Sequence, residues 1–219
     1  MNTASKPANR TISLAEQAYQ VLEEKLVKLE LLPGFTVSEG QLIELTGFGR
    51  TPVREAIQRL AYQGMFYVMP RKGLVVTEVS RSTMVHILEA RKPLERVIVN
   101  RAALNARDSQ RSELASIARM LTISHDSFGE FLKLDSNLSE LLDLCSGNFY
   151  ASTAVAPLRS HCRRFWNYYR HRVQMSDTIS ANSNLARLVA RRDYNGARKA
   201  SDGVIAVMER LVASIDRPG

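Results

Sequence analysis

Arg50 and Arg54 carry the most pointed chemistry in this chain. They stand four apart in Gly49-Arg50-Thr51-Pro52-Val53-Arg54-Glu55-Ala56-Ile57, so a helix places both on one face. Val53, Ile57 and Leu60 then fall on another face, suited to packing. A guanidinium fork donates two parallel hydrogen bonds to guanine O6 and N7 in the major groove, which few other side chains do. Thr51 and the free backbone N–H groups at the helix start suit a phosphate. Further on, Pro70-Arg71-Lys72-Gly73 reads as a turn with two positive charges at its tip. Between residues 50 and 72, Arg50, Arg54, Arg59, Arg71 and Lys72 face only Glu55. On an arbitrary helix, Arg50 and Arg54 would be two solvated surface charges. The surrounding elements argue for reading DNA instead.

Apolar residues recur with helical period from Ile12 to Leu31 (Leu14, Ala18, Val21, Leu22, Leu26, Leu29). Leu32-Pro33-Gly34 stops that helix. Ser38 suits the cap of a second, short helix over Glu39–Thr46, which Gly47 closes. A third helix spans about Arg50 to Gln63, with Pro52 in its first turn and Gly64 beyond its end. The period then changes. Met65-Phe66-Tyr67-Val68-Met69 and Leu74-Val75-Val76-Thr77 are β-prone and predict a hairpin around the charged turn. Three helices and a hairpin, in that order, predict a winged helix-turn-helix over residues 12–79.

After Val79 no strand signal of weight follows. Ser80 or Ser82 suits the cap of a long helix to about Ala106, and Ser109 that of another to about Ser124. Helical patterns continue over 127–145, 148–173, 178–192 and 194–215, with breaks at Gly147, Met175-Ser176-Asp177 and Asp193-Tyr194. Residues 80–216 therefore predict an all-α bundle able to enclose a pocket. The fold class is mostly α, in two domains, with residues 1–11 as a disordered arm.

Composition sets the outer limits. Of 219 residues, 45% are hydrophobic and 24% charged, so a folded core is expected. No apolar run reaches the roughly 18–20 residues of a membrane span. The polar start, Met1 to Arg10, lacks the apolar stretch of a secretory signal. A cytoplasmic protein without membrane contact is expected. Cys145 and Cys162 are too few and too isolated for a disulfide framework or a zinc knuckle, and read as small buried thiols. The net charge of +8 permits an anionic partner without naming one. Residues 1–80 hold nine basic and eight acidic residues, so positive charge in the expected DNA-binding half is local. No nucleophile elbow, phosphate-binding glycine loop or His–carboxylate pair at ligand spacing occurs, so an enzyme is not expected.

Residues 12–78 closely resemble the DNA-binding domain of the GntR family of bacterial regulators. The resemblance rests on Leu32-Pro33-Gly34, Gln41-Leu42 with Leu45-Thr46-Gly47, Arg50-Thr51-Pro52-Val53-Arg54-Glu55-Ala56, Leu60 with Gly64, and Gly73. It implies that Arg50 and Arg54 contact bases and that Thr51 holds the DNA backbone. It also implies that the wing tip, Arg71 to Gly73, reaches the minor groove. Gly40 and Phe48-Gly49 depart from the family's commoner residues there, so an unusual operator sequence is expected. Residues 81–215 resemble the FCD effector domain of the FadR subfamily, through Arg91-Lys92-Pro93-Leu94-Glu95 and Asp135 with Ser146-Gly147-Asn148.

Many such domains hold a divalent metal through an Asp, a His four residues on, and two later His. Here those positions carry Asp135, Ser139, Asn182 and Val204. His86, His125, His161 and His171 lie elsewhere and read as surface or boundary residues. No metal and no other cofactor is expected. Asp135, Ser139 and Asn182 become pocket-lining groups for a small-molecule effector, a carboxylate by preference. Arg91 is the candidate counter-charge, or else the i+4 partner of Glu95. Arg159, Arg163, Arg164 and Arg170, with Trp166, Tyr168 and Tyr169, read as a solvated or inter-helix face whose aromatics could wall the pocket. The function implied is a ligand-responsive homodimeric regulator on a palindromic double-stranded operator, a repressor released by a small organic acid before an activator, with an uncharged or bulky apolar effector as the alternative beside Val204. The rivals are a sequence-tolerant architectural DNA-binding protein and, more remotely, an enzyme acting on a small acid.

Overall fold

The computed structural model describes residues 12–69, 73–123 and 127–215. The expected N-terminal arm lies outside those residues, as do Arg71, Lys72 and His125. The chain divides into two compact units, Met1–Glu78 and Val79–Gly219.

The first unit holds α1 (Leu14–Val27), β1 (Thr36–Val37), α2 (Glu39–Thr46), α3 (Arg50–Tyr62), β2 (Phe66–Met69) and β3 (Gly73–Val76). Ser13 caps α1 by accepting from the N–H of Glu16. The helix ends at Val27 rather than near Leu31. Leu29 enters the left-handed region at φ 61°, and the Glu30 N–H donates back to the Lys25 carbonyl at 2.9 Å. A leucine in a role glycine usually fills hid that stop from the sequence. Strand β1 is also unexpected. Two residues are too short to show alternation. Its evidence is tertiary: Thr36 pairs Val75 and Val37 pairs Leu74. The hairpin is thus part of an antiparallel three-stranded sheet, β1-β3-β2. Ala18, Leu22 and Leu26 of α1 join Leu42, Val53, Leu60 and Phe66 in one buried core.

The second unit is all helix in its described residues: α4 (Arg81–Asn105), α5 (Asp108–Ile123), α6 (Phe128–Ser146), α7 (Phe149–Tyr168), α8 (Met175–Ala190) and α9 (Tyr194–Ser214). Ser80 caps α4, Ser127 caps α6 and Asn148 caps α7. The expected break at Met175-Ser176-Asp177 is instead the first turn of α8, with Asp177 at its favourable acidic end. The break falls earlier, in a single 3-10 turn at Arg170–Arg172. Helix α4 packs against α6, α7 and α9, and α8 packs against α5 and α9. Ile98, Val99, Leu114, Val155, Val189 and Ala197 sit at the centre of the unit's core.

Candidate nucleic-acid interface and buried polar cavity

Helix α3 divides as its spacing requires. Val53, Ala56, Ile57 and Leu60 are buried; Arg50, Thr51, Arg54, Glu55 and Gln58 are exposed. The side chains of Arg50 and Arg54 keep 74% and 58% of their surface, so both stand at the surface of the unit. Gly73 opens β3 at φ +97°, and a Cβ there would stand 3.2 Å from the Val37 carbonyl oxygen. Gly73 therefore holds a left-handed backbone beside β1 that only glycine adopts comfortably. Arg59 does not belong with this face. Its guanidinium lies 3.7 Å over the Tyr19 ring and donates to Glu16 at 2.6 Å, so it fastens α3 to α1.

Glu39 is the residue that sequence reasoning missed. Ser38 accepts from the Gln41 N–H, and the Gln41 side chain accepts from the Ser38 N–H, closing a capping box. This fixes Glu39 as the first residue of α2. Arg54 Nε donates to both Glu39 oxygens at 2.8 Å, and Arg50 Nε lies 3.8 Å from Oε1. One carboxylate thus tethers both exposed arginines. The signal was an acidic residue at a capped helix start, just ahead of the arginine pair.

In the second unit, Arg91, Asp135, Ser139, Asn182 and Val204 line one small cavity between the helices, with Leu138, Leu185, Ser201 and Ile205. The space open to the centre of a water molecule is about 20 Å³, enough for one water or so. A second cavity of about 20 Å³ adjoins it and shares Arg91, Asp135, Arg159 and Val204. Arg163, Cys162, Trp166 and Met208 complete that second wall.

Arg91 is not an idle counter-charge. Its Nε donates to Glu95 Oε1 at 2.8 Å, four residues on. Arg159, nearly sealed at 4% exposure, donates to both Glu95 oxygens and to Asp143 Oδ2. Burial alone would raise the Glu95 carboxyl, but the guanidinium groups of Arg159 and Arg91 outweigh it and hold it down to about 2. Burial raises the Asp143 carboxyl despite Arg159. Cys145 and Cys162 are free buried thiols; burial pushes Cys145 up to about 11. Of the two readings of the arginine-rich face of α7, solvated or inter-helix, the inter-helix one holds for most of it: Arg159, Arg164 and Trp166 are buried, and Arg163 is largely so. Their spacing at 159, 163 and 166 marks one inward helix face, a signal the charges obscured.

Residues 14–76 match the bacterial regulatory proteins of the gntR family, and residues 86–207, more than half of the chain, match the FCD domain. The chain belongs to the GntR family. As a GntR regulator it falls in a family of transcription factors, not enzymes. The HTH-type transcriptional repressor RspR of Escherichia coli (strain K12) is 28% identical over 142 residues, 64% of this chain. That match spans 62% of the length of RspR. The Nta operon transcriptional regulator of Aminobacter aminovorans is 31% identical over 114 residues, 50% of this chain and 52% of that protein. Among solved structures, E. coli McbR/YncC shares the fold at a TM-score of 0.79 and 21% identity, over 93% of this chain and 97% of its own.

The four positions that hold a metal in many FCD domains do converge here on one cavity. They offer one carboxylate, one hydroxyl, one amide and the apolar Val204. The amide of Asn182 donates to the Thr178 carbonyl at 3.2 Å, and three guanidinium groups stand alongside. This donor set does not fit a transition metal, which needs several fixed N, O or S ligands. No helix among the described residues is long and apolar enough to cross a membrane.

Proposed function

We propose that this GntR-family regulator is a cytoplasmic homodimeric repressor of a metabolic operon, released from a palindromic operator by a small organic acid. Arg50 and Arg54 read base edges from α3, Thr51 holds a phosphate, and Arg71, Lys72 and Gly73 carry the wing to the minor groove. The effector enters the cavity lined by Arg91, Asp135, Ser139 and Asn182, without a metal. The observation carrying this reading is the pairing, in one chain, of an exposed two-arginine face on α3 with a charged, buried cavity in the FCD domain. Arg91 lies on α4, the helix the chain enters directly after the wing unit, so ligand contacts there are connected to the DNA heads through one element.

The test is an anisotropy titration of a labelled operator, selected from the host genome by affinity capture. Sequence-specific binding that a small acid weakens supports the proposal. Binding indifferent to sequence returns it to an architectural role, and specific binding that an acid strengthens reverses the sign of regulation.

A further inference from the structure

The two adjoining cavities contain one unused donor and one underused acceptor, both buried. Trp166 is 6% exposed, and its indole Nε1 makes no hydrogen bond among the described residues. A buried donor without a partner is costly, so it marks a place for an acceptor. It lines the cavity with Arg91 and Arg163. Asp135 is 8% exposed, and its ion-pair partner is Arg163 at 3.8 Å, too long for a hydrogen bond. Its carboxylate borders both cavities, beside the hydroxyls and amide of Ser139, Ser201 and Asn182.

Charge narrows the choice further. Arg91, Arg159 and Arg163 are matched by Glu95, Asp135 and Asp143 through ion pairs, so the cluster is neutral as it stands. An anion with nothing else to offer would add an uncompensated charge beside Asp135 in a buried site. A ligand that brings an ammonium together with one carboxylate leaves the balance intact, whereas a hydroxyl supplies the donor without the compensating charge. Each space holds about one water as it stands, so even a short ligand requires the lining side chains to move apart.

Resting on the effector reading above, we propose that the effector is a short carboxylic acid that also carries a hydrogen-bond donor, an ammonium before a hydroxyl. Its carboxylate is held by Trp166 Nε1 and Arg163, and its donor by Asp135. The two cavities become one chamber when the side chains that line both, Arg91, Asp135, Arg159 and Val204, move apart.

Trp166 is the single tryptophan of the chain, so its fluorescence reads the site directly. The full-length protein is titrated with two matched series: L-alanine, L-lactate and propionate; and L-aspartate, L-malate and succinate. Thermal shift and operator binding are followed in parallel. The expected result is a fluorescence change and stabilisation by the amino acid, weaker by the hydroxy acid, and at least tenfold weaker or absent with the plain acid. Trp166→Phe, followed by thermal shift, and Asp135→Asn should each keep the fold and weaken the amino acid at least tenfold. Arg163→Lys provides a second carboxylate-end variant should Trp166→Phe unfold. If the plain acids bind as well as their substituted partners, or if all three variants respond like wild type, the proposal falls while acid-controlled repression stands. If none of the six moves fluorescence, stability or operator binding, the proposal falls and the effector reading falls with it for short acids.

Discussion

Arg54, in the proposed role of reading a base edge, would serve two states. Without DNA its guanidinium is spent on Glu39; on DNA the same fork would have to leave that carboxylate for a guanine edge. Removing the fork should cost about 1–3 kcal/mol at the cognate operator, for Arg54→Ala and Arg50→Ala alike. Glu39→Gln should act oppositely. It frees both arginines and removes a negative charge near the phosphates, so affinity should rise on both DNAs, more on the cognate operator where the freed forks would meet base edges, and most at low salt. Parallel titrations of cognate and scrambled DNA at two salt concentrations check both; equal gains on the two DNAs would mean that Glu39 does not gate the reading arginines. Glu95 supplies a different prediction. Its folded carboxyl lies at about 2, below the usual 4.5. A depressed carboxyl contributes stability above its unfolded value and loses it as pH falls through the folded one. The loss should therefore fall between pH 4.5 and about 2, on the order of 3 kcal/mol. Asp143 is raised by burial, so its protonation offsets part of that. Arg159→Met strips Glu95 of its chief partner and should cost about 3–5 kcal/mol at neutral pH, while flattening the acid limb. Urea unfolding at pH 5 and pH 3 measures both effects, and parallel profiles for wild type and variant would reject the account.

Among the elements, those that carry their own signals were legible before any tertiary contact was known. Helices α2 and α3 announce themselves through Ser38, Gly47 and Pro52, and α4 through Ser80, so the arginine pair could be placed on its face from sequence. What was hidden depends on contact. Strand β1 exists because β3 lies beside it, and α1 stops at a leucine in the left-handed region. The cavity followed the same rule. Asp135, Ser139 and Asn182 could be set in register because a family pattern lies behind them, and Glu95 was legible as the i+4 partner of Arg91, whereas the pairing of Arg159 with Glu95 needed the packing of α4 on α7. Two substitutions probe the legible and the hidden parts. Ser38→Ala removes the capping box and should cost about 1 kcal/mol, loosening Glu39 with it. Gly73→Ala forces a Cβ into a φ of +97° against the Val37 carbonyl and should cost about 1–2 kcal/mol, concentrated in the β1-β3-β2 sheet. Thermal melts give the totals. Amide exchange at Val37 and Val75 should rise for Gly73→Ala only, and unchanged exchange there would show that the wing tolerates the side chain.

At the scale of the whole molecule, the question is how so sparse a reading face achieves specificity. The proposed reading face on one α3, two arginines and a threonine, would address only a few base pairs. The first 80 residues carry nearly equal numbers of acidic and basic side chains, so bulk attraction does not compensate. The proposed two-fold symmetry would compensate, because a second copy doubles the sequence read and matches a palindromic operator. The second unit offers a surface for that pairing. Val97 and Leu104 share a face of α4 with Arg101, whose Nε donates to the Ser146 carbonyl at the end of α6. Leu144 of α6 and Phe149 and Tyr150 at the start of α7 are exposed nearby, Phe149 at 73% and Leu104 at 63%. Apolar exposure on adjoining elements is what an association surface needs. We expect sedimentation to give twice the chain mass at micromolar concentration, and Leu104→Glu with Phe149→Glu to give single chains that remain helical. The paired variant should still contact a half-site through Arg50 and Arg54, but bind the full palindrome at least about 100-fold more weakly, since one half's contacts, worth about 3 kcal/mol or more, are lost. A wild-type protein that sediments as one chain and binds isolated half-sites as tightly as the palindrome would rule out the dimer. Variants that stay paired would leave the dimer standing and move its interface away from the ends of α4, α6 and α7.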